Sequence, residues 1–219
     1  MNGGGESMRN KDYILPIMYG AGVVLFAIED LRWLFNLTTP LVLMMLNIYV
    51  VLRANTDKKI NLYLLTLIIF GFLVEAIGVS TGLLFGSYDY GNNIGPKLLD
   101  VPIIIAFNWA VVVASGIAIS NTFLRSLNLS IKYLPLLSIV TVVAFDYIME
   151  PAAVTLGYWA WEGGIIPITN YVTWGAFTLC ATVLYMKMRL NFHSRENFRS
   201  ASLNFLYQTI FFLAIQIVG

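Results

Sequence analysis

Three carboxyl residues, Glu75, Asp146 and Glu150, stand inside long apolar stretches of this 219-residue sequence. An ionisable group within a membrane span costs at least about 2.5 kcal/mol on insertion scales, so it marks a functional site by default. Asp146 and Glu150 are four residues apart and share one helix face. Glu75 lies ten residues before the end of its own expected span, 62–85, at a depth similar to Asp146. Asn108 beside Trp109, and Asn170 near Trp174, bring further polar groups to neighbouring spans. All of these are expected to converge in the outer half of a helical bundle. Two close carboxylates in a low-dielectric interior do not both stay ionised, so one keeps its proton and can act as a general acid. The competing reading is a structural network of carboxyls, Asn side chains and backbone carbonyls.

Two loops border the acidic spans, and both are aromatic. One reads Phe85-Gly86-Ser87-Tyr88-Asp89-Tyr90-Gly91, followed by Pro96 and Asp100-Val101-Pro102. The other follows Glu150-Pro151 and reads Gly157-Tyr158-Trp159-Ala160-Trp161 through Pro167. Aromatic residues at a membrane boundary are ordinarily belt residues. Clustered on these two loops, Tyr88, Tyr90, Tyr158, Trp159 and Trp161 also suit a lid or slot over a flat apolar substrate. Asp89 and Asp100 are expected to cap or pin the first of the loops.

The elements that must carry these residues follow from composition. The sequence is 58% hydrophobic and 11% charged, whereas a soluble domain carries roughly 25% charged residues. Such a chain cannot cover a water-facing surface, so lipid is its solvent. About 20 apolar residues are needed per transmembrane helix, which gives seven spans: 13–29, 33–52, 62–85, 102–124, 133–156, 166–187 and 201–218. The fold class is therefore an all-α polytopic membrane bundle, a single integral membrane domain over 1–219 with a disordered tail over 1–11. Arg9 and Lys11 precede the first apolar run and no small-x-small site follows it, so that run is expected to stay as an anchor.

Of the 13 Lys and Arg residues, all but Arg32 and Lys97 fall at the N-terminus or in the second, fourth and sixth loops. That bias predicts a cytoplasmic N-terminus and a multi-pass protein of the inner cell membrane. Glu29, Asp30, Asp89, Asp100 and Glu162 lie at the opposite ends of the spans. No strong internal repeat is visible.

Net charge is +1, which offers no basic field for nucleic acid. Cys180 is expected to be a small packed side chain. His193 lies in a basic loop, so zinc and haem ligation lack their usual partners. A bridged metal lacks its Glu-x-x-His pairs, no phosphate loop or dinucleotide fingerprint is present, and the last span has no lysine for a retinal Schiff base. No cofactor or metal is called for.

The pattern Phe85-Gly86-x-Tyr88-x-Tyr90, then Val101-Pro102 and Asn108-Trp109, resembles the membrane carotenoid hydratase family. Asp146-x3-Glu150-Pro151, Gly157-x-Trp159-x-Trp161, Pro167, Asn170-Tyr171 and Trp174 extend the resemblance to roughly residues 62–187. That family includes γ-carotene and bisanhydrobacterioruberin hydratases. Where the family has Asp before the proline, this chain has Glu150, which keeps the carboxyl and alters its reach.

The resemblance implies addition of water across the terminal isoprene double bond of a carotenoid ψ-end, without cofactor or metal. A carboxylic acid protonates the less substituted carbon, aromatic faces stabilise the tertiary cation, and a carboxylate steers water onto it. Asp146 and Glu150 are the expected acid and base, in either order, with Glu75 as a third member. Asn108 and Asn170 would position water or the acid. Tyr88, Tyr90, Trp109, Trp159, Trp161 and Trp174 would line the end-group pocket. Partners are then a membrane-dissolved carotenoid, the bilayer and other carotenoid enzymes. Three alternatives stay open: a lycopene cyclase, which begins with the same protonation; a proton-coupled transporter, for which Pro40 and Pro135 would mark broken helices; and a purely structural assembly factor, which would tolerate neutralising all three acids.

Overall fold

The computed structural model describes residues 13–54, 57–190 and 199–219. The expected tail, with Arg9 and Lys11, and the loop holding His193 and Arg195 lie outside the described residues. Seven α-helices of more than one turn are described: α1 (Ile14–Ala27), α2 (Arg32–Ala54), α3 (Lys58–Thr81), α4 (Ile103–Ser126), α5 (Leu134–Thr155), α6 (Ile168–Lys187) and α7 (Arg199–Val218). Four short strands lie in the two aromatic loops: β1 (Tyr88–Tyr90), β2 (Lys97–Leu98), β3 (Val101–Pro102) and β4 (Trp159–Trp161).

The chain is an all-α membrane bundle. Five helices are long and apolar enough to cross a bilayer. Described α1 has 14 residues, and α6, with 20, carries Asn170, Thr173, Thr178 and Thr182 among its apolar residues. The bundle is turned inside out relative to a soluble one. Leu37, Leu41, Leu136 and Ile168 are each more than 60% exposed, while Glu75, Asp146, Glu150, Asn170 and Gln208 are buried. Lipid removes the penalty for exposed apolar side chains and leaves polar groups seeking partners inside.

Helix α4 is the axis of this arrangement. It is buried continuously from Trp109 to Ala118, and small residues there let its neighbours close in. A Cβ on Gly116 would sit 2.4 Å from Val142 Cγ2 of α5.

The end of α3 corrects one expectation. The helix starts at Lys58, where the Asp57 carboxylate accepts from the Lys59 amide at 3.0 Å, and stops at Gly82, whose φ of 67° breaks it. Glu75 is thus six residues from its helix end (81 − 75), not ten. Glu150 is five residues from its own (155 − 150), and Asp146 nine (155 − 146). Glu75 is therefore level with Glu150, about one turn shallower than Asp146.

Two other expectations are also corrected. Cys180 is exposed on the outer face of α6, because Thr178 and Ala181 take the inward positions. Helix α2 runs unbroken through Pro40, and Pro135 sits in the first turn of α5, where proline is tolerated. Neither marks a broken helix.

The two aromatic loops are partners: β1 and β4 pair antiparallel, Tyr88 with Trp161, Asp89 with Ala160 and Tyr90 with Trp159. The ladder continues through Gly91 N to Tyr158 O and Glu162 N to Ser87 O. At Gly91 a Cβ would fall 2.0 Å from the Gly157 carbonyl oxygen, so the crossing requires glycine. This register gives β1 and β4 a local two-fold relation centred between Asp89 and Ala160.

Candidate active site

The β1–β4 ladder explains how loop residues reach buried acids. Successive strand side chains point to opposite faces, so Tyr88, Tyr90, Trp159 and Trp161 turn inward while Asp89 and Ala160 face out. The four inward rings carry the polar tips that the acids need.

Glu75 Oε2 accepts hydrogen bonds from the hydroxyls of Tyr88 and Tyr90, the latter at 2.8 Å, and Oε1 accepts from Trp109 Nε1 at 2.7 Å. Glu150 Oε2 accepts from Trp159 Nε1 at 2.9 Å and Trp161 Nε1 at 2.8 Å. Its Oε1 accepts from Asn170 Nδ2 at 3.2 Å, and the same amide donates to Asp146 Oδ2 at 2.8 Å. The other Asp146 oxygen, Oδ1, is buried with no partner among the described residues. Among the described residues, every donor to the three carboxyls is uncharged. Burial, and then Glu75 beside them, hold the Tyr88 and Tyr90 phenols well above their ordinary range, so both stay protonated donors.

Glu75 and Glu150 face a common narrow cavity of about 30 Å³. Its aromatic walls are Phe85, Tyr88, Tyr90, Trp109, Trp159, Trp161 and Trp174, and Ile105, Asn108, Met149 and Asn170 complete it. Trp109 and Trp174 stack at 3.7 Å and 11°, and Tyr88 lies 4.8 Å from Trp161. Asp146 is absent from this lining; it sits behind Asn170, fully buried.

The sequence-chosen residues therefore divide. Glu75, Glu150, Tyr88, Tyr90, Asn108, Trp109, Trp159, Trp161, Asn170 and Trp174 meet at one cavity, and Asp146 reaches it only through Asn170. Asn108 lines the cavity without bonding an acid, and its Oδ1 accepts from Gln208 Nε2 at 3.1 Å. Asp100, in the turn between β2 and β3, and Asp89 both lie on the exposed side. In chemical terms this is an array of two carboxyls facing one aromatic box, suited to moving a proton beside an apolar substrate.

A family model described as carotenoid biosynthesis protein matches residues 34–219. The chain belongs to that family. The match reaches well beyond the 62–187 of the motif resemblance, taking in α2 and α7, which supply Asn47 and Gln208. A bisanhydrobacterioruberin hydratase from Haloarcula japonica is 30% identical over 122 residues, covering 54% of this chain and 42% of that protein. The matched stretch thus spans less than half of that relative. No solved structure matches.

Sequence reasoning missed Gln208, Asn47 and Tyr19, all buried polar residues near the cavity. The signal was there: each is a polar side chain inside an apolar span. Asn108 and Asn170 stand out because a tryptophan lies close to each; these three have no such neighbour.

Proposed function

We propose that this carotenoid biosynthesis protein is a hydratase. It adds water across the terminal double bond of an acyclic carotenoid end, in the cell membrane, without a cofactor. The observation that carries this reading is the pair Glu75 and Glu150, held level by matched sets of neutral donors on one aromatic cavity. The hydratase relative supports water as the co-substrate.

Glu150 is the proton donor. Its conjugate base is met by two indole N–H groups and an amide, which stabilise the carboxylate left after transfer. Asp146, which shares the Asn170 amide with Glu150 and carries a bare oxygen, is the neighbouring site that holds a proton. It resupplies Glu150 through water, since the amide donates to both carboxyls and relays none. Protonation at the less substituted carbon puts the charge on its tertiary neighbour, beside the faces of Trp109, Trp174 and Tyr88. Glu75 takes a proton from the attacking water as the C–O bond forms. Its two tyrosine partners can both donate and accept, which lets that proton move on.

The test is to produce the chain in a bacterium that makes lycopene or γ-carotene and to weigh the extracted pigments. A product heavier by one water is expected. An isomer of unchanged mass would replace hydration with cyclisation, which shares the first step. No new pigment despite good membrane insertion would overturn both.

A further inference from the structure

A second cavity of about 30 Å³ adjoins the first and shares the walls Ile105, Asn108, Met149 and Trp159 with it. Beyond Asn108 its polar wall is Asn47 of α2, Gln208 of α7 and Tyr19 of α1. Gln208 is 3% exposed and Asn47 is 4% exposed. Gln208 spends its amide nitrogen on Asn108, while its amide oxygen is buried with no partner among the described residues. Tyr19 donates to Asn204 at 3.0 Å, so its hydroxyl oxygen keeps acceptor capacity.

Buried polar atoms that lack a protein partner are normally met by ordered water. A cavity of at least about 10–15 Å³ holds one when two to four polar partners surround it. This cavity meets both conditions. The next one outward, between α1 and α2, has no amide in its walls: Met18, Leu25, Phe35, Val42 and Leu46 dominate it, beside the hydroxyls of Tyr19, Thr38, Thr39 and Tyr158. Amide groups are thus concentrated in the compartment that shares walls with the acid cavity.

We propose that this amide-lined compartment stores the water that captures the cation, and that Gln208 and Asn47 decide that the cation is hydrated. The proposal rests on the reading that the acid cavity protonates an isoprene end. Once Glu150 has given its proton to carbon, a water passing Asn108 donates an oxygen lone pair to the tertiary centre. The C–O bond forms, and the water's proton goes to Glu75. Without stored water the same cation returns its proton to a carboxylate, giving back the alkene or a shifted isomer, or closes onto an inner double bond. Gln208 and Asn47 are positioning residues, because they act through water.

The experiment uses the whole chain in membranes supplied with an acyclic carotenoid in heavy water. Gln208→Leu and Asn47→Leu are compared with the unchanged protein. Two quantities are read: hydrated product, and deuterium gained by recovered, unhydrated pigment, which reports protonation alone. Hydrated product is expected to fall on the order of 10²-fold, as for a misplaced reactant, while deuterium uptake persists and isomers accumulate. Persistent uptake also shows that the variant is folded. If hydration and uptake fall together, or hydration is unchanged, the compartment is structural and the proposal is overturned. If the unchanged protein takes up no deuterium and makes no hydrated product, the hydratase reading fails and this proposal with it.

Discussion

The unit α3–β1–α4 and the unit α5–β4–α6 hold a glutamate in matching ways and treat the preceding helical turn in opposite ways. Each glutamate lies five or six residues from its helix end and takes two donors from an aromatic-x-aromatic strand. Each takes its last donor from the helix that follows, Trp109 for Glu75 and Asn170 for Glu150. Trp109 and Trp174 are both the seventh residue after a proline, Pro102 and Pro167, and they stack on each other where the units meet.

Four residues before Glu75 stands Gly71, and four before Glu150 stands Asp146. At Gly71 an added Cβ would lie 2.7 Å from Trp109 Cβ, so only hydrogen lets the indole press onto Glu75. At the matching place Asp146 puts a second carboxyl under the first. One unit isolates its acid, and the other doubles it. That asymmetry suits a reaction that must deliver a proton from one side and accept one on the other.

The largest expected effect breaks the comparison at its centre. Glu150→Gln should lower hydration about 10³-fold, within the range for loss of a general acid, and abolish deuterium uptake into pigment as well. Glu75→Gln should lower hydration about 10²-fold and leave uptake largely intact, because protonation precedes its step. Equal loss of uptake in both variants would remove the division of roles. Asp146→Asn keeps the contact with Asn170 and removes only the stored proton. We expect a smaller fall in turnover, on the order of 10-fold, seen as slowed repeated turnover with the first turnover preserved.

Next in size is the packing difference. Gly71→Ala should destabilise the protein by about 1–3 kcal/mol through overpacking against Trp109, read as a lower unfolding temperature in detergent, and should weaken activity as Trp109 leaves Glu75. Gly20 has no atom within 4 Å of an added Cβ, so Gly20→Ala should be neutral or stabilise by about 0.5–1 kcal/mol. If both glycines respond alike, the close approach at Gly71 is not what holds Trp109.

Much of this was legible in the sequence. The apolar spans, the intramembrane acids and the aromatic loops have local signatures, so the helix count followed from apolar length, and most cavity-lining residues from the acids, the loops and the motif resemblance. The level of Glu75 did not, because one left-handed glycine, Gly82, sets where α3 ends. The retreat of Asp146 behind Asn170 did not either: sharing a helix face with Glu150 says nothing about which of two neighbours meets the cavity. The pairing of β1 with β4 joins strands about 70 residues apart and leaves no periodic trace in strands of three residues. The paired strands also differ in residue type, with tyrosines on one side and tryptophans on the other.

The smallest expected effect tests the strand alternation itself. Asp89 lies between Tyr88 and Tyr90, opposite Ala160, at the centre of the ladder, and it points away from the acids. Its carboxyl is therefore on the wet side of the loop while both neighbours reach Glu75. Asp89→Asn removes the charge and keeps the shape. Away from packing and hydrogen-bond networks such a change stays within about 0.5 kcal/mol, and hydration should be indistinguishable from that of the unchanged protein. Tyr90→Phe, one residue on, removes one of the three donors to Glu75 and should slow hydration measurably. A strong loss in Asp89→Asn with a silent Tyr90→Phe would mean the strand presents its other face to the site, and the matched wrapping of Glu75 and Glu150 would fall with it.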